Sequence, residues 1–227
     1  MRKEDLPIIA RTALKHILHR HGEVIYSSYE TLAKGDIYLM GLNPGGKPFI
    51  TIDEHIDRML TRTKNSYLDE FWKNQSDESV VLTDEQREPL QKRVVRLLAD
   101  LGYDARNVCA SNLIFPTTRS AEGLCFGLAG LCWPVHEAVL EIVQPKLLLT
   151  FGNGPESPYA FVKELLYNDE SEQTIDSGHP GWVCKGFRAE LNQRSMFVAG
   201  LPHLSRYNSV GKVEVITWLK EAIDSIC

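Results

Sequence analysis

Four short apolar runs, each broken by a cluster of Gly, Pro, Asn or polar residues, constrain this chain more than any other feature. They span residues 37–42, running into Asn43-Pro44-Gly45-Gly46; 108–115, closed by Pro116; 147–151, closed by Gly152-Asn153-Gly154; and 196–201, closed by Pro202. Runs of this length without polar alternation read as strands buried on both faces. Helical spacing fills the intervals. Leu90, Val94, Leu97, Leu98 and Leu101 mark one helix within 84–101, and Val135, Ala138, Val139, Ile142 and Val143 another within 134–143. Residues 5–20, 157–167 and 209–225 read as three more. Strand alternating with helix predicts a three-layer α/β/α sandwich around a central, mainly parallel four-stranded sheet. Residues 182–191 alternate in polarity and are expected as an antiparallel edge strand.

The 227 residues suit one domain, 1–227, with a polar insertion at about 61–84 rich in Lys, Asn, Ser, Asp and Glu. Lys and Arg number 25 against 30 Asp and Glu, so the formal charge is -5 and no global basic field attracts a polyanion. Any DNA contact must be a local surface. The five cysteines, Cys109, Cys125, Cys132, Cys184 and Cys227, form no CxxC pair, which fits free thiols and a cytoplasmic setting. No signal-peptide core and no uninterrupted apolar stretch of about 18 residues is read, so no membrane partner is expected.

In a parallel sheet the four broken ends share one edge, where open α/β folds bind ligands. That edge should collect Asn43 to Gly45, Asn112 to Arg119, Gly152 to Gly154 and His203 to Asn208. Here the residues carry a resemblance. Gly41-Leu42-Asn43-Pro44-Gly45, with Pro48-Phe49 beyond, resembles the first motif of the uracil-DNA glycosylase superfamily, nearest the mismatch-specific uracil/thymine branch, which has Gly-Ile-Asn-Pro-Gly there. His203-Leu204-Ser205 is similar to the second motif, with Leu204 in place of Pro. Ser111-Asn112-Leu113 and Gln144-Pro145-Lys146 resemble the middle strands, in the same order.

The resemblance implies a DNA glycosylase that hydrolyses the N-glycosidic bond of uracil or a related damaged pyrimidine, as in base excision repair. Such chemistry needs an extruded base, a donor to the departing base and a positioned water. His203 is the expected donor. Asn43 cannot titrate but can orient the water, which predicts a slower enzyme than relatives with Asp there. Phe49 is expected to stack on the base and Asn112 to read its Watson–Crick edge, beside Gly41, Leu42, Pro44 and Gly45. Ser205, Arg206 and the amides around Gly45 and Gly46 suit phosphate. An amide and an imidazole should thus flank a slot for one pyrimidine ring. No cofactor is expected, and no metal cluster: Pro116 stands where the iron–sulfur members place a ligand near Cys132. His16, His19 and His21 read as a solvated basic face rather than a metal site. The acidic charge leaves two other readings: a catalytically silent module binding a nucleotide or protein, and a hydrolase of free nucleosides.

Overall fold

Strand β1 (Ile37–Gly41) is buried along its whole length, and the sheet grows from it in both directions. The computed structural model describes residues 1–45, 50–72, 81–118, 126–167 and 172–226. β1 pairs in parallel with β2 (Cys109–Asn112) on one side and β3 (Leu147–Phe151) on the other. β3 pairs in parallel with β6 (Arg194–Leu201), which continues antiparallel through β5 (Val183–Leu191) to β4 (Gln173–Asp176). The order is β2-β1-β3-β6-β5-β4.

The four apolar runs are the four parallel strands, but the sheet has six strands rather than four. Nor is residues 182–191 the edge: β5 lies inside, covered by β4. Its alternation comes from sheet faces, with Cys184, Phe187 and Ala189 buried between more exposed neighbours. β4 is short and mostly exposed, so it carries no apolar signal to be read. On the far side β2 is shielded by residues 22–27, with the Tyr26 N–H bonded to Ala110 O at 2.8 Å and the Ser111 hydroxyl to Val24 O at 2.6 Å. A covered edge has no free ladder to offer another chain.

Alternate strand residues feed two cores. Tyr38, Met40, Cys109, Leu148 and Val198 face α1 (Leu6–Ala13), α2 (Ile52–Met59), α5 (Phe126–Val143) and α6 (Pro158–Leu166). Ile37, Leu39, Ala110, Leu149 and Ala199 face α3 (Ser66–Asp69), α4 (Pro89–Leu101) and α7 (Val213–Asp224). The three-layer arrangement follows.

Several expected boundaries move. Regular helix in 5–20 stops at Ala13, because Leu14 and Ile17 are buried by a run of turns rather than by further helix. α2 was not expected; Ile52, Ile56 and Met59 bury one face while Asp53, Glu54, Asp57 and Arg58 give the segment a polar appearance. The polar insertion is partly core: Asn65, Ser66, Tyr67, Leu68 and Asp69 are buried, and Asp69 takes a bidentate ion pair from Arg106. Residues 73–80 lie outside the described residues. α5 begins eight residues before Pro134 and runs through it, since packing of Ala129, Cys132 and Trp133 outweighs one missing backbone bond. At 18 residues and mean hydropathy 1.3 it is long and apolar enough to cross a membrane, although His136, Glu137 and Glu141 interrupt its apolar run. In this fold it is a core helix against α1, with His136 at its middle bonded to the Tyr38 hydroxyl at 2.9 Å and Leu113 O at 3.0 Å.

Candidate functional site

The paired ends of β1 and β2 are shaped by a missing side chain. Gly41 stands opposite Asn112 in the register, and a methyl group at Gly41 would collide with Asn112 Oδ1 and come within 2.7 Å of the Phe151 ring. Glycine is therefore what lets a carboxamide and an aromatic ring from two neighbouring strands lean over β1. Asn112 is only 4% exposed, and its Nδ2 has no hydrogen-bond partner among the described residues. A buried amide donor left empty costs about 1–3 kcal/mol, and such groups cluster where a ligand supplies the acceptor.

One residue beyond β1, Leu42 turns the chain and Asn43 follows. The Asn43 Nδ2 donates to Pro44 O at 2.9 Å and to Thr118 Oγ1 at 2.8 Å. A carbonyl oxygen can only accept, so this contact fixes which end of the amide is nitrogen and which is the acceptor Oδ1. Thr118 N–H bonds Pro44 O in return, at 3.3 Å, tying the loop after β1 to the loop after β2.

The loop after β6 carries His203. Its Nδ1 accepts from the Ser205 N–H at 3.1 Å and lies 2.8 Å from the Ser205 hydroxyl. A backbone N–H can only donate, so Nδ1 holds the lone pair and the neutral ring carries its proton on Nε2. Burial, helped by the Arg206 guanidinium, holds the imidazole pKa below its ordinary value. Leu204 and Tyr207 are fully buried and pin the loop into the core, while Arg93 donates to Leu204 O at 2.8 Å. Leu204, the departure from the expected motif, is thus an anchor.

The loop after β3 closes the site. Gly152 sits at φ +104, where a side chain would be strained, and its N–H bonds Leu201 O at 2.8 Å. Asn153 Nδ2 donates to Val183 O at 2.8 Å and Gly200 O at 3.0 Å, and Ser157 caps α6 through the Ala160 N–H. These bonds hold one wall of a cleft of about 410 Å³, lined among others by Leu42, Phe151, Gly152, Glu156, Ser157 and His203. The Phe151 ring meets the imidazole edge-on at 5.5 Å. It touches Gly41 on its other side, so it joins the Asn112 corner to the His203 wall.

The fold brings Gly41, Leu42, Asn43, Pro44, Asn112 and His203 to one sheet edge, yet the cleft is lined by Leu42 and His203, with Asn43 and Asn112 beside it rather than on its walls. Gly45 is exposed. Ser205 is turned to the imidazole, so its hydroxyl positions His203; Arg206 is exposed. Phe49, Gly46 and Arg119 lie outside the described residues. Phe151, Glu156 and Ser157 were not anticipated. Phe151 read as the last residue of a strand, and Glu156 carried no signal of its own; only the Gly-Asn-Gly break beside them marked a special place. No family model matches this chain, and no curated protein does.

Cys109, Cys132 and Cys184 are free and buried in the cores, away from the cleft, and burial pushes each thiol up to about 12. His16, His19 and His21 are exposed, and no group of three metal-ligating side chains occurs among the described residues.

Proposed function

We propose that this chain is a monofunctional DNA glycosylase that hydrolyses the N-glycosidic bond of uracil or a related damaged pyrimidine. The observation that carries the reading is the unpartnered, buried Nδ2 of Asn112, set on the same sheet edge as a histidine whose proton is fixed on Nε2. A pyrimidine keto oxygen accepts from such an amide, and its ring N–H can donate to the amide oxygen. As the base departs its oxygens gain negative charge, which a fixed Nε2–H stabilises more in the transition state than in the ground state. Asn43, its nitrogen already engaged, presents an oxygen that orients a water without taking its proton. Phe151 supports the cleft floor between the two.

The test is excision from a uracil-containing oligonucleotide, scored as alkali-labile abasic sites. Wild type should cut; Asn43→Ala, Asn112→Ala and His203→Ala should each lose at least about a hundredfold in kcat/KM, the lower end of what a positioned group supplies. Full activity in all three variants would overturn the roles. One observation favours a second reading: Glu156 places a carboxylate on the cleft wall, which repels phosphodiester but not a free nucleoside. Release of uracil from deoxyuridine as fast as from the oligonucleotide would select that reading.

A further inference from the structure

Residues 15–21 read Lys-His-Ile-Leu-His-Arg-His, with five basic side chains in seven and no acidic one, in a chain whose net charge is -5. Ile17 is buried and Leu18 packs on the core, so the segment is held to the body by its apolar pair. Lys15, His16, His19 and His21 are exposed and Arg20 half-buried. The backbone then carries this segment to the site. Thr117 N–H bonds His21 O at 2.9 Å, the next residue is Thr118, and Thr118 Oγ1 receives the Asn43 amide at 2.8 Å. His21 also bridges Thr51, and Gly22 bridges Pro116.

Three carboxylates of α2 beside this segment are already engaged, Glu54 while also attracting His21. Arg11 takes Asp53 at 2.9 Å and Asp57 at 2.6 Å. Glu54 accepts from the Thr51 N–H at 2.7 Å and the Thr51 hydroxyl at 3.0 Å. None of the five basic side chains has a carboxylate partner within salt-bridge distance among the described residues. On the other flank of the site stands the exposed Arg206.

We infer that residues 15–21 form the surface that grips the DNA phosphodiester backbone beside the site, so that a strand runs from this segment across the site toward Arg206. The inference rests on the glycosylase reading and supplies what an acidic chain otherwise lacks, a local cationic track. Phosphate contacts of this kind position a strand without reading its bases. Their strength falls with salt, because each neutralised phosphate releases condensed counterions.

The experiment measures anisotropy of a labelled single-stranded oligonucleotide without uracil, from 20 to 200 mM NaCl at pH 6.5. The triple variant Lys15→Gln/His16→Gln/His19→Gln should bind about tenfold more weakly at low salt and show a salt slope smaller by roughly 1, near the 0.7 per phosphate of single strands. Lys15→Glu alone should weaken binding in the same direction, should the triple variant fold poorly. Arg188→Gln/Arg194→Gln, in the groove at the opposite edge of the sheet, should bind as wild type. Excision read in parallel separates the two readings. Oligonucleotide binding that depends on residues 15–21 without uracil release leaves the surface standing and removes the glycosylase. Excision and salt slope unchanged in the triple variant, or equal loss in the Arg188/Arg194 variant, overturns the surface.

Discussion

Asn112 holds an N–H that nothing among the described residues accepts, and that asymmetry separates function from stability at one side chain. Truncating a paired buried amide leaves its partner orphaned; truncating an unpaired one removes a desolvated group and leaves only a small void. Asn112→Ala should therefore unfold within about 1 kcal/mol of wild type in urea while losing uracil excision. A loss above about 3 kcal/mol would mean that the amide is structural after all. His203 yields a prediction with a direction in pH. Its neutral form accepts the Ser205 N–H at Nδ1, and a proton there would set donor against donor. Burial and Arg206 lower its pKa, so activity should hold as pH falls to the ordinary histidine value and decline only below it. Arg206→Gln removes the neighbouring cation and should move the acid limb of kcat/KM to higher pH; an unmoved limb would dissociate His203 from the titration.

Helix α2 ties the site to the body through its first turn. Thr51 caps it, accepting the Glu54 N–H at 3.2 Å while Glu54 reaches back to the Thr51 N–H, and Thr51 also bridges His21. Thr51→Ala should cost about 1 kcal/mol, seen as a fall in Tm of roughly 2–4 °C, and should loosen the 15–21 segment as well. Faster amide exchange at His21 and Gly22 checks the second part. That helix also shows where sequence reading stops. The parallel strands were legible because burial on both faces leaves unbroken apolar runs, and their Gly and Pro breaks marked the edge where ligands bind. α2 was hidden since only Ile52, His55, Ile56 and Met59 face inward, and one of these is a histidine. β4 was hidden because an edge strand needs backbone bonds more than side-chain burial. In the site, Asn43, Asn112 and His203 could be singled out because their types carry chemistry. Phe151 and Glu156 acquire meaning only through contacts between strands distant in the chain, and no local pattern encodes those.

Beside His203, three ionisable groups with large shifts shape how the folded state responds to acid, and they do not all pull one way. His55 accepts the Val24 N–H at Nδ1, at 3.2 Å, and burial lowers its pKa to about 3. His136, between Tyr38 and Leu113, is lowered by burial to about 4. For both, the unfolded chain takes up a proton that the native state refuses, so their contribution is intact above pH 6.5 and is lost as pH falls toward the folded values. Glu23 runs opposite. Burial, with Glu70 adding to it and Arg62 opposing, raises it from 4.5 to about 7, so between those values the native state holds the extra proton and its contribution is lost as pH rises. From pH 6.5 to 4.5 two histidines are therefore offset by one carboxyl, and the unfolding free energy should fall by about 1.4 kcal/mol per pH unit. Below 4.5 the offset ends and the slope should steepen until His136 takes up its own proton near 4, with the lowered carboxyls of Asp69 and Glu172 adding to it. Urea titrations at half-unit steps resolve this. Glu23→Gln should steepen the upper range, and His55→Gln should flatten both. A Glu23→Gln curve parallel to wild type above pH 4.5 would show that this carboxyl is ionised in the fold, and that Arg62 rather than burial governs it.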